Sequence, residues 1–180
     1  FYIGLGVFAG LLAVYFNKTY NFILKLFAKL KSTGYKILIG TVSLGIFIFL
    51  FPSFFGEGFD TIKIFLEGDF HDLLDNTIFH EYQRTIPIII LFFLCLVFLK
   101  SVVTGITVGA GGVGGIFAPS LFTGAVYGFL FAFIINSLDI GIYLSERNFA
   151  LVGMAAMLGG TIHAPLTGIF LIAEVTSGYE

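Results

Sequence analysis

The chain has 180 residues, of which 58% are hydrophobic and 11% charged, with a mean hydropathy of +1.03, a composition that excludes a water-soluble globular domain and assigns the chain to a bilayer. Its 24 Phe and 23 Gly stand beside 4 Pro and no Trp, which excludes collagen-like and low-complexity structures, and the net charge of −2 excludes the basic footprint of a nucleic-acid binder. The single cysteine, Cys95, permits neither an intrachain disulfide nor a cysteine-based metal cage, and redox chemistry has no foothold.

Charges divide the chain into elements, because a charged side chain at the bilayer centre costs roughly 2.5–3.5 kcal/mol. The charge-free runs are residues 1–17, 37–55, 85–99, 101–138 and 148–173, the last holding His163 as its one ionisable group. The chain opens at Phe1 inside the first run and stops at Glu180 without a polar tail, so it reads as a fragment; no basic segment precedes the first run, which argues against a signal peptide. A simple span takes about 20 residues. The run 37–55 fits that length, and 85–99 reaches it if Arg84 and Lys100 snorkel at its ends.

Between the first two runs, residues 18–36 carry Lys18, Lys25, Lys29, Lys31 and Lys36 and no acid. Phe22, Leu26, Phe27 and Leu30 lie among them, the pattern of an amphipathic extension lying in the interface, and the positive-inside rule puts it in the cytoplasm. Residues 57–84 are the opposite: seven acids against Lys63 and Arg84 give a net of −5. Both connectors read as solvated loops facing headgroups. His80-Glu81 opens like a zinc-protease HExxH, but position 84 is Arg84, so the motif fails; His71 and His80 are solvated loop residues or a weak cation site.

The runs 101–138 and 148–173 are too long for one span and short for two, and both are interrupted. Gly105, Gly109, Gly111, Gly112, Gly114 and Gly115 crowd the first, followed by Pro119; the second breaks at Gly159-Gly160-Thr161-Ile162-His163-Ala164-Pro165. Broken helices are expected at both places, since irregular backbone at membrane depth survives only where protein buries it or a cavity adjoins it, and paired interruptions point to a transport site.

The most informative stretch is Gly114-Gly115-Ile116-Phe117-Ala118-Pro119. Glycine lets the backbone approach a ligand, and proline needs no amide partner at the start of a helix, so a helix is expected to begin near Pro119. The amides around Ile116 to Ala118 are then left without intrahelical acceptors and sit at the positive end of a helix dipole, which makes an anion site. Between Lys100 and Arg147 there is no Lys or Arg, so an anion held here is expected to meet only partial charges, which suits conduction. A glycine-rich packing elbow between crossing helices explains the same residues without a ligand.

Gly109-Ala110-Gly111-Gly112-Val113-Gly114 also fits GxGxxG, but the next acid is Asp139, 25 residues past Gly114, and the flanks are membrane-like, so a dinucleotide site is excluded. Residues 101–138 supply the hydroxyls of Ser101, Thr104 and Ser120 but no His, Cys, Asp or Glu, which disfavours an enzyme. Glu174 reads as an acid near the membrane surface, or paired with a neighbour, ahead of a functional intramembrane group, and His163 as support for a helix end ahead of a proton relay. Tyr127 lines a pore or packs against lipid. Ala156, Gly160 and Ala164, four apart, call for a closely packed helix in the same subunit or another.

The run Gly109-Ala110-Gly111-Gly112-Val113-Gly114-Gly115-Ile116-Phe117-Ala118-Pro119-Ser120-Leu121 resembles the chloride-binding GxFxP segment of the CLC family of chloride channels and chloride/proton antiporters. Phe149 to Gly160 and Ala164 to Thr176 look like later helices of the same family, and weaker similarity includes Phe16-Asn17-Lys18. The resemblance implies an all-α, polytopic membrane protein with broken and tilted helices, residues 1–180 being the second half of an inverted-repeat, bacterial-type transmembrane domain. It further implies a chloride contacted by the backbone amides of Ile116 and Phe117, within a site of Gly115, Ile116, Phe117, Ala118 and Pro119 where Gly115 gives access and Pro119 sets the helix start, and neither a metal nor a cofactor. Passive, voltage-gated conduction and chloride/proton antiport are both implied, in a multi-pass protein of the bacterial inner membrane. A homodimer is implied too, with residues 1–16 and roughly 164–178 at the subunit interface. The family's GSGIP serine, GREGP glutamate and pore tyrosine have no counterpart here. Another small anion such as fluoride or nitrate, or a structural membrane subunit, are the other readings.

Overall fold

A computed structural model describes residues 1–67, 72–75, 77, 85–139 and 141–175. Among them are eight α helices and no strand: α1 (Tyr2–Ala28), α2 (Thr33–Leu50), α3 (Phe59–Glu67), α4 (Asp72–Asp75), α5 (Ile86–Gly109), α6 (Phe117–Ser137), α7 (Glu146–Ile162) and α8 (Pro165–Val175), with a 3-10 turn at Pro52–Phe54. Helices α1, α2, α5 and α6 are long and apolar enough to cross a membrane. The expected all-α, multi-spanning architecture is present. Within the acidic connector, residues 68–71, 76 and 78–84, His71 and His80 among them, lie outside the described residues.

The helix limits differ from those drawn by the charges. Helix α1 does not stop at Asn17 but runs through Lys18 and Lys25 to Ala28, so the lysine connector is mostly the end of a span and not a separate interfacial element. Long lysine stems allow this, since each ammonium reaches water from a helix that is itself in the apolar region. Helix α5 likewise runs through Lys100 to Gly109. The second interruption falls within the expected Gly159 to Pro165 segment, at His163, whose φ of 55° closes α7 in the left-handed region, while Gly159 and Gly160 themselves remain helical. His163 therefore ends a helix, and Pro165 starts the next.

Aromatic rings fill the interior. Phe65 of α3, Phe93 of α5 and Phe129 of α6 meet at centroid separations of 4.7–5.5 Å, and Phe51, Phe54, Phe92 and Phe122 extend the cluster. In lipid the hydrophobic effect gives no drive for helices to associate, so close packing of such surfaces must supply it, and each ring pair adds roughly 0.5–1.5 kcal/mol.

Glycines set the helix crossings. A Cβ on Gly124 would come within 2.5 Å of the Gly153 carbonyl oxygen, so α6 and α7 touch backbone to backbone. Gly160 faces Ala13 of α1, a neighbour within the same chain, whereas Ala164 lies past the end of α7, so the four-residue spacing is not carried through one helix. Asn17 Nδ2 donates to the Thr161 carbonyl at 3.0 Å beside this crossing.

Candidate functional site

Helix α6 folds back along α5, and the turn between them is the glycine-rich segment. Gly111 has φ of 101°, which breaks α5 after Ala110, and Ile116 caps α6. The helix thus begins at Phe117, two residues before Pro119, which occupies its third position. A first-turn proline is tolerated there because its missing N–H would have no helical acceptor.

The first helical bond runs from the Ser120 amide to the Ile116 carbonyl at 3.0 Å. The amides of Ile116, Phe117 and Ala118 find no acceptor among the described residues. Hydroxyls do not compete for the same ligand. Ser120 Oγ donates to the Phe117 carbonyl at 2.8 Å and Thr123 Oγ1 to the Pro119 carbonyl at 2.8 Å. Thr104 and Thr107 of α5 are likewise bonded to the carbonyls of Lys100 and Val103. Their protons stay on helix backbone, as hydroxyls in membrane helices commonly do.

A cavity of about 590 Å³ opens beside this turn, lined by Gly114, Gly115, Phe117, Ala118 and Pro119 together with Lys100, Thr104 and Glu57. Four of the five predicted residues therefore adjoin one hollow; Ile116 caps the helix and packs against the apolar core. An added Cβ at Gly115 would meet nothing within 4 Å.

Lys100 corrects the expectation that an anion here meets only partial charges. It is only 2% exposed, does not snorkel, and lines the same cavity. Its Nζ lies 4.3 Å from the Phe122 ring centroid and 5.8 Å from that of Phe54, and it has no carboxylate partner among the described residues. The negative faces of the two rings compensate the ammonium in part. Counted as the end of an apolar run, Lys100 was missed; its place fifteen residues before Gly115, with a helix reversal between, was the available signal. Glu57 is the acid of the cavity wall and is exposed.

The remaining candidates fall outside the cavity. Tyr127 donates to the Leu5 carbonyl of α1 at 3.1 Å and so ties α6 to α1. Glu174 is exposed near the end of α8, and His163 is exposed at the α7 terminus.

The sequence model of the family described as "Voltage gated chloride channel" matches residues 1–180. A relative from Ralstonia nicotianae, named as a chloride channel ClcB-like protein, is 27% identical over 180 residues, covering 99% of this chain and 38% of the relative. The chain thus spans well under half the length of that protein. With helices and no strand among its described residues, four of those helices membrane-capable, and a helix reversal carrying the GxFxP segment, this chain, matched along its whole length, belongs to the voltage gated chloride channel family and is an integral membrane protein.

Proposed function

We propose that this chain forms one wall of a transmembrane chloride pathway, in which the ion is held by the amides of Phe117 and Ala118 at the α6 terminus, with Gly115 leaving room for it and Pro119 fixing the first turn. Ile116 acts as the cap that starts the helix and offers a third amide. The observation that carries this reading is the coincidence, at one cavity, of unbonded amides at a helix start and the buried ammonium of Lys100. Both favour a negative guest. Nothing in this chemistry makes or breaks a bond; the ion is bound, and weak multipoint binding is what lets it leave again.

The whole protein is proposed to move chloride across the membrane either passively or in exchange for protons. Residues 1–180 would be the second half of its membrane domain. The subunit contact of a homodimer would use the apolar faces of α1 and α8, where Ile3, Val7, Leu11, Leu166 and Ile169 are all exposed.

The test is anion flux from liposomes holding the full-length protein, with and without a proton gradient. Proton movement coupled to chloride identifies an exchanger and chloride current alone a channel. Absence of chloride flux in both conditions overturns the proposal, and flux of fluoride or nitrate in its place reassigns the ion.

A further inference from the structure

The basic turn between α1 and α2 lies apart from the anion cavity and has a chemistry of its own. At 1.5 Å per residue the 27 residues of α1 extend about 40 Å, roughly 10 Å more than the hydrocarbon core of a bilayer. The lysines gather in that excess. Lys25 and Lys29 end α1, Lys31 is in the turn and Lys36 is in the first turns of α2; Lys18 lies two turns deeper. Lys18, Lys25, Lys29 and Lys31 are exposed and Lys36 is half-buried. No acid occurs before Glu57, and none of the five lysines has an ion-pair partner among the described residues.

The neighbouring surface is not that of a water-facing loop. Lys18, Phe22, Lys25, Leu26 and Lys29 recur at helical spacing along one side of α1, and Phe22 and Leu26 are 64% and 50% exposed. On α2, Tyr35, Ile37 and Leu38 are exposed within a turn or so of Lys36. Beyond Lys18 the outward face of α1 is apolar again at Val14 and Leu11, and that of α2 runs on through Val42, Ile46 and Phe49. A surface with ammonium groups at one level and apolar side chains just beneath matches a phospholipid, whose phosphate and acyl chains are stacked in that order. An acidic protein would satisfy the lysines and leave Phe22, Leu26 and Leu38 in water.

We propose that the α1–α2 turn is a recognition surface for anionic phospholipid headgroups, with Lys25, Lys29 and Lys31 as the phosphate-binding groups and Phe22 and Leu26 in contact with the acyl chains. Basic clusters immediately beside a membrane helix attract anionic lipid, and the attraction dies away within a Debye length. The surface is joined to the rest of the fold: Phe27 packs on Gly109, and Gly40 of α2 abuts Ala110, where α5 ends and the glycine turn begins. A lipid held here steadies the segment from which the cavity wall departs.

The experiment measures association of spin-labelled phosphatidylglycerol and phosphatidylcholine with the reconstituted full-length protein. A preference of about threefold or more for the anionic lipid is expected, lost in high salt. The triple variant Lys25→Gln, Lys29→Gln, Lys31→Gln should bring the ratio to near unity, while the matching triple arginine variant should retain it. Equal association of the two lipids with the unaltered protein overturns the proposal. So does a preference that survives the glutamine substitutions or high salt, since the lysine charges would then not be its source.

Discussion

The ammonium of Lys100 rests 4.3 Å from the centre of the Phe122 ring, deep in the fold and on the wall of the hollow that the α6 terminus adjoins. The pairing resolves a conflict: a buried cation with no carboxylate partner is costly unless something else meets its charge. Two phenyl faces do so in part, and under the proposed function a bound anion would meet the remainder.

Lys100→Met should therefore weaken chloride binding to the full-length protein by about tenfold, since a unit charge near a partly wet site is worth on the order of 1–2 kcal/mol. Glu57→Gln, which removes the negative charge of the same wall, should act in the opposite direction, by about two- to threefold because the group is exposed. Calorimetric chloride titration reads both. Effects of the same sign would mean that the cavity is not where the ion binds.

Gly115→Val and Gly124→Val should separate binding from folding. At Gly115 the added side chain meets open space within this chain, so it should crowd the anion and lower chloride affinity with little change in thermal unfolding. At Gly124 the new Cβ would press into the Gly153 carbonyl, forcing α6 and α7 apart at a cost of about 1–3 kcal/mol or more. Thermal unfolding in detergent, run beside chloride titration, distinguishes the two outcomes.

Asn136 holds the connector from α6 to α7. Its Oδ1 accepts from the Leu144 amide at 2.8 Å, and its Nδ2 donates to the Leu144 carbonyl at 2.9 Å and to Glu146 Oε1 at 3.1 Å. Asn136→Ala should lower unfolding stability by about 2–3 kcal/mol, as several bonds are lost together. Burial pushes the Glu146 carboxyl up from its ordinary value, and the Asn136 bond opposes part of that rise. An acid whose folded pKa is raised destabilises the fold as it ionises, so this contribution should worsen as pH rises from the ordinary glutamate range through the folded pKa. Glu146→Gln should flatten that stretch of the stability–pH curve and raise stability at neutral pH.

Tyr127→Phe should cost about 1 kcal/mol of stability through loss of the bond to the Leu5 carbonyl, with chloride affinity unchanged. A large drop in affinity would place Tyr127 on the ion's path and not merely between two helices.

Much of this was legible in the residues because membrane burial penalises charge so heavily. The runs without Lys, Arg, Asp or Glu found every long helix, and the glycines before Pro119 located the reversal between α5 and α6. The errors share a cause. Lys18 and Lys100 were treated as boundaries, but a lysine ends a span only when its ammonium has nowhere to go. Lys18 reaches outward on a long stem, and Lys100 reaches aromatic faces and a cavity inside the fold. The start of α6 lies near Pro119 as expected, at Phe117; proline tolerates any position in the first turn, so it marks the turn and not its first residue. The partners of Tyr127 and Gly160 depend on which helices cross, and spacing along one helix carries no record of that.

The hollow beside Pro119 is far larger than a bare halide. At about 30 Å³ per water, this wall alone leaves space for water beside an ion, and under the proposed function the Phe117 and Ala118 amides would replace waters on one side of the ion only. An ion held in that way would keep water on its open side and would regain its shell without first breaking out of a closed cage.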